Sequence, residues 1–135
     1  MKGKFYPFMT IAAVSFFSFL LWIIYLANTG QSSVFFDLVK ALPYGDKIGH
    51  FVLFGTLTLL ASLALKAKHF FIANKVRLYW GAIAVFAFAL GEEISQAFVA
   101  TRTFDLTDLS ADVLGICAAS WLVSKLVLWH KKSQS

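Results

Sequence analysis

The chain has 135 residues, 59% of them hydrophobic and only 14% charged, with mean hydropathy +0.75. Soluble domains are closer to half apolar and a quarter charged, and the apolar runs are far longer than the ~10-residue strands of a membrane barrel, so both classes are excluded. The net charge of +5 comes from basic residues that flank the apolar runs, where they set topology and attract anionic lipid heads; no nucleic-acid module is present.

The first span is predicted from Tyr6 to Ala27. Lys2 and Lys4 precede it, but its length and the poor cleavage context of Tyr25–Asn28 point to an uncleaved anchor rather than a signal peptide. Thr29 to Tyr44 reads as a connector. Ser32 or Ser33 is placed to cap a short interfacial helix there and Pro43 to end it, with a partly ordered loop as the alternative. The second span is expected from Ile48 to Leu65, followed by a basic turn over Lys66 to Arg77. A third span runs from Leu78 through Glu92 and Glu93 to about Phe98. After a polar turn from Thr101 to Asp108, the fourth span extends from Leu109 to Trp129. The expected fold is thus an all-α integral membrane bundle of four transmembrane helices, in one domain. Nine basic residues fall on the side of the termini and three on the other, which orients both ends to the cytoplasm. The single cysteine, Cys117, lies in an apolar segment where a buried thiol is ordinary.

Ionisable groups within membrane helices are costly and mark function by default. Asp46, Lys47 and His50 open the second span, and Glu92, Glu93 and Gln96 lie near the end of the third. Arg102, Asp105 and Asp108 occupy the turn, and Asp112 is one turn into the fourth span. With alternating helix directions all fall on the outer side at similar depth. Asp46 and His50 share a face at i, i+4, Glu93 and Gln96 at i, i+3, and Asp105, Asp108 and Asp112 form one stripe. Gly115 continues that stripe and permits close helix approach. Glu93 needs a partner, for which Arg102, Lys47 and His50 are candidates. Spacing specifies no metal site, since no CxxC or HExxH is present and intramembrane carboxylates more often pair with bases or water; no cofactor is expected.

The ordered set Asp46-Lys47-x-x-His50, Glu93-x-x-Gln96, Arg102-x-x-Asp105-x-x-Asp108 and Gly115 resembles the VanZ-like family of small membrane proteins, named for a teicoplanin-resistance accessory protein. The resemblance covers Asp46 to Gly115. The family usually has asparagine where this chain has Asp112, and the first span carries no family motif. The resemblance implies a bacterial inner-membrane protein of the cell envelope, with an effect on glycopeptide susceptibility as one expectation. The preferred reading is an outer-leaflet pocket for a lipid-linked or amphiphilic envelope molecule. Arg102 and Lys47 would hold an anionic head group there, with Asp46, Gln96, Asp105, Asp108 and Asp112 as further ligand-binding residues. An intramembrane enzyme using His50 and Glu93 as its acid–base pair and a small transporter or flippase stay open, as does an oligomer. The expected partners are membrane lipids and an envelope precursor, not nucleic acid.

Overall fold

A computed structural model describes residues 3–31, 34–100 and 102–135. A capping role for Ser32 or Ser33 and the contribution of Thr101 to its turn lie outside the described residues. The elements in chain order are α1 (Phe5–Asn28), α2 (Val34–Lys40), α3 (Gly45–Ala64), β1 (His69–Ile72), β2 (Val76–Tyr79), α4 (Trp80–Gln96) and α5 (Leu106–Gln134).

The long helices follow the apolar runs. Pro7 sits in the first turn of α1, where a missing N–H costs nothing. The helix buries Leu20, Ile23 and Leu26 on one stripe, while Phe8, Ile11 and Val14 face outward. Such exposed apolar faces recur on every long helix, and they suit hydrocarbon rather than water. By length and composition α1, α3 and α5 are each able to cross a membrane. The expected first span thus matches α1, the second starts three residues earlier as α3, and the fourth lies inside the longer α5.

The third span departs from expectation. Leu78 and Tyr79 belong to strand β2, and α4 occupies only Trp80–Gln96. Its 17 residues rise about 25 Å. The basic turn before it is an antiparallel hairpin pairing His69 with Tyr79 and Ile72 with Val76, a short two-stranded element that the all-α expectation did not include in a mostly helical chain. The physical reason is local. Ala73 and Asn74 both adopt positive φ, at 51° and 58°, and the Lys75 amide bonds the Ile72 carbonyl at 3.0 Å. Two successive left-handed residues give the turn whose twist matches paired strands.

The core is assembled mainly on α3, which packs against α5, α1 and α4. The α3–α5 seam is the most extensive, and glycine makes it possible. A Cβ on Gly115 would lie 2.3 Å from the Phe51 carbonyl oxygen, so only glycine lets the two backbones meet there. Gly55 sits opposite, where an added Cβ would meet the Gly115 oxygen at 3.1 Å. Cys117, expected to be buried, faces outward from α5.

Candidate functional site

One end of the bundle collects the start of α3, the end of α4, the 97–105 connection, the start of α5 and the last residue of α1. Six of the seven acidic residues lie there: Asp46, Glu92, Glu93, Asp105, Asp108 and Asp112, with only Asp37 outside. All the residues singled out from sequence are in this region, and side-chain contacts join its segments.

The outer layer is built on Lys47. Its ammonium donates to Asp46 at 2.8 Å, to Asp105 at 3.0 Å and to Asp108. Three carboxylates thus surround it, and its charge is shared among them. Asp105 also caps α5, accepting from the Thr107 amide at 2.9 Å and from the Thr107 hydroxyl. That hydroxyl, together with the Lys47 ammonium, holds the Asp105 carboxyl well below the usual carboxylate range.

Deeper lies a second layer. His50 Nδ1 is 2.8 Å from Asp112 Oδ1, and Nε2 is 3.7 Å from Asp108 Oδ2. The imidazole stacks against Phe54, with ring centroids 5.9 Å apart. Glu93 accepts the Asp105 backbone N–H at 2.7 Å through Oε1, so among the described residues its hydrogen-bond partner is a main-chain donor rather than Arg102, Lys47 or His50. The helix ends at Gln96 rather than Phe98, which places Glu93 in its last turn. Glu93 and Asp112 are both 0% exposed, and each keeps one buried oxygen, Oε2 and Oδ2, without a hydrogen-bond partner among the described residues.

Gln96 pairs differently from the expected stripe. Its amide donates to both Glu92 carboxylate oxygens, at 2.8 and 2.9 Å, so the working contact on α4 is i, i+4. Glu92, left outside the sequence-based site, is buried and lies 3.7 Å from Arg102. Arg102 also donates to Asn28 Oδ1 at 3.1 Å, which ties α1 to the cluster. The only sequence signal for Asn28 is a polar residue ending an apolar run.

Beside these layers opens a cavity of about 380 Å³. One wall is apolar, formed by Leu20, Ile23 and Ala27 of α1 with Phe36 and Val39 of α2. The lining from α3 onward is largely polar and carries His50, Glu92, Gln96, Arg102, Asp105 and Asp108, with Leu53 and Phe54 among them.

Comparison with known proteins places this geometry in a family. The VanZ/LLP1 family profile matches residues 3–129, nearly the whole chain. The chain belongs to the VanZ/LLP1 family. The match includes α1, which carries no motif of its own yet supplies Asn28 and a cavity wall. One curated relative, the uncharacterized protein C11E3.10 of Schizosaccharomyces pombe, is 33% identical over 91 residues, covering 67% of this chain and 52% of the relative. The chain therefore spans about half the length of that relative. No solved structure matches.

Proposed function

We propose that this VanZ/LLP1 chain is a four-span membrane protein with both termini in the cytoplasm, whose cavity holds a membrane amphiphile at the outer leaflet. In a bacterium the membrane is the inner one, and the amphiphile is a lipid-linked molecule of the envelope. An effect on glycopeptide susceptibility would follow from the identity of that molecule. The distribution of basic residues supports the orientation, and 17 residues is the lower limit for a spanning helix, which allows α4 as the fourth.

The observation that carries the reading is the mixed lining of the cavity, with apolar residues from α1 and α2 beside carboxylates, His50, Gln96 and Arg102. Binding cavities of this kind combine an apolar lining with a few orienting polar groups. With Lys47 already bound by three carboxylates, a bare anionic head is disfavoured. The lining suits a head group rich in hydroxyl or amine donors, with the Arg102 guanidinium, which also lines the cavity, as a donor to an acceptor. A relative in fission yeast favours ligand chemistry common to many membranes.

Gly49 provides the test. It lines the cavity, and a Cβ there meets nothing within 4 Å, so Gly49→Phe fills the space without a backbone clash. Lipids extracted from detergent-purified wild-type protein should include one amphiphile in near-stoichiometric amount, absent from Gly49→Phe. Equal retention by both proteins refutes the reading.

A second reading is favoured by one contact. The Asp112–His50 pair resembles a carboxylate orienting an imidazole for proton transfer, with Glu93 as the buried acid. A catalyst would convert the bound amphiphile, and His50→Gln or Glu93→Gln would retain it unconverted.

A further inference from the structure

The polar end contains more negative charge than the protein itself compensates. Six carboxylates face the two fixed cations Lys47 and Arg102, and Lys47 serves the outer three. The inner acids Glu93 and Asp112 lie 0% exposed, where an uncompensated charge is expensive. Each still has a buried carboxylate oxygen with no hydrogen-bond partner among the described residues. Native proteins rarely leave such oxygens unsatisfied, and each one calls for a missing partner.

These two acids and His50 converge. One potential ligand atom from each lies within 4.8 Å of the other two, and His50 Nδ1 is already 2.8 Å from Asp112 Oδ1. Around a cation with bonds of about 2.0–2.2 Å, neighbouring donors sit roughly 3.0–3.5 Å apart, so a small inward movement completes the set. Carboxylates also flank both imidazole nitrogens, Asp112 at Nδ1 and Asp108 at Nε2. When Nδ1 binds a metal beside Asp112, Nε2 faces the Asp108 carboxylate at 3.7 Å, the kind of outer partner that metal-bound histidines generally keep.

We propose that His50, Glu93 and Asp112 form a site for one divalent cation of the zinc or manganese class. One imidazole and two carboxylates suit these ions, since imidazole disfavours calcium and magnesium and the absence of thiolate disfavours softer metals. This departs from the metal-free expectation for a plain reason: the ligands come from three different helices, so no local spacing announces them. Such a cation also satisfies both orphaned oxygens and removes much of the charge excess. His50 lines the amphiphile cavity, so coordination positions not filled by protein are reachable from it. The site stands independently of the amphiphile reading, and its test uses no lipid ligand.

Detergent-purified full-length protein, stripped with a chelator, is titrated with zinc chloride or manganese chloride against a metal indicator, and its melting temperature is followed in parallel. Wild type should bind one equivalent of either ion and melt at a higher temperature when loaded. Glu93→Gln and Asp112→Asn, which keep side-chain shape, should each weaken binding at least tenfold, while Asp37→Asn on the exposed face of α2 should bind as wild type does. If a variant elutes as aggregate, the ion-dependent melting shift of wild type decides alone. No stoichiometric binding and no shift with either ion overturns the proposal, as do folded variants that bind like wild type.

Discussion

Replacing Gly115 by alanine probes the seam on which the site depends. The added Cβ would lie 2.3 Å from the Phe51 carbonyl oxygen and 3.1 Å from its carbonyl carbon. Ordinary contact begins near ~3.4 Å, so α3 must retreat from α5 by about 1 Å. Backbone atoms cannot swing aside as a side chain can, and forced overpacking costs about 1–3 kcal/mol. Alanine recovers about 1 kcal/mol through its helix preference over glycine, and with backbone on both sides of the clash the cost lies at the upper end of that range, which leaves a net loss of up to about 2 kcal/mol. Gly55→Ala is the internal control. Its nearest contact would be 3.1 Å, a few tenths of an ångström too close, so propensity and strain nearly cancel. The displacement also reaches the site. His50 lies five residues before Gly55 on α3, and Asp112 three residues before Gly115 on α5, so a 1 Å retreat stretches their 2.8 Å contact beyond hydrogen-bond range. Thermal unfolding in one detergent should order the proteins as wild type near Gly55→Ala, with Gly115→Ala clearly below. A double-mutant cycle on His50→Gln and Asp112→Asn should show coupling in wild type and much less in Gly115→Ala. A Gly115→Ala protein that melts at or above the wild-type temperature would refute the reasoning.

Lys47→Gln and Arg102→Gln should separate support from recognition. The first strands three carboxylates at a partly exposed position and should lower stability by about 1–2 kcal/mol, well under the cost of breaking a fully buried pair, with little change in amphiphile retention. The second should reduce retention about tenfold with a smaller change in melting temperature, as read by lipid extraction beside thermal unfolding. The Asp105 carboxyl is held below its ordinary value of 3.8 by the Thr107 hydroxyl and then by Lys47. Its contribution is present above that value and lost as pH falls below it, so Asp105→Asn should flatten the part of the acid stability profile that lies below about pH 4. In the hairpin, Ala73 carries a φ of 51°, a region that strains any Cβ, and Ala73→Gly should stabilise by up to ~1 kcal/mol, measurable by the same unfolding.

The sequence made the long helices legible because hydrocarbon demands unbroken apolar runs, and no other segment of this chain could supply them. It also brought the right residues to one end, since alternating helix direction leaves little freedom over where Asp46, Glu93 and Asp112 fall. It did not reveal which groups touch. A helix offers Gln96 both i−3 and i−4 neighbours, and only packing selected Glu92 over Glu93. Arg102 donates to Asn28 and stands 3.7 Å from Glu92, while the Asp105 amide serves Glu93, a division that spacing alone does not set. The hairpin was hidden because the segment from Lys66 to Arg77 reads as a charged turn, and Ala73-Asn74 lacks the glycine that usually marks such a reversal.

The glycine contact between α3 and α5 also decides how a guest could arrive. Two backbones in contact leave no seam to part between those helices. The cavity is lined instead by α1 and α2 among other segments, and the Arg102–Asn28 hydrogen bond is one of the ties holding α1 there. For the amphiphile proposed above, the apolar residues of α1 and α2 favour entry sideways, from among the neighbouring lipids. Capture would then scale with the mole fraction of the guest in the bilayer, and a molecule scarce in water but abundant in the leaflet would compete best.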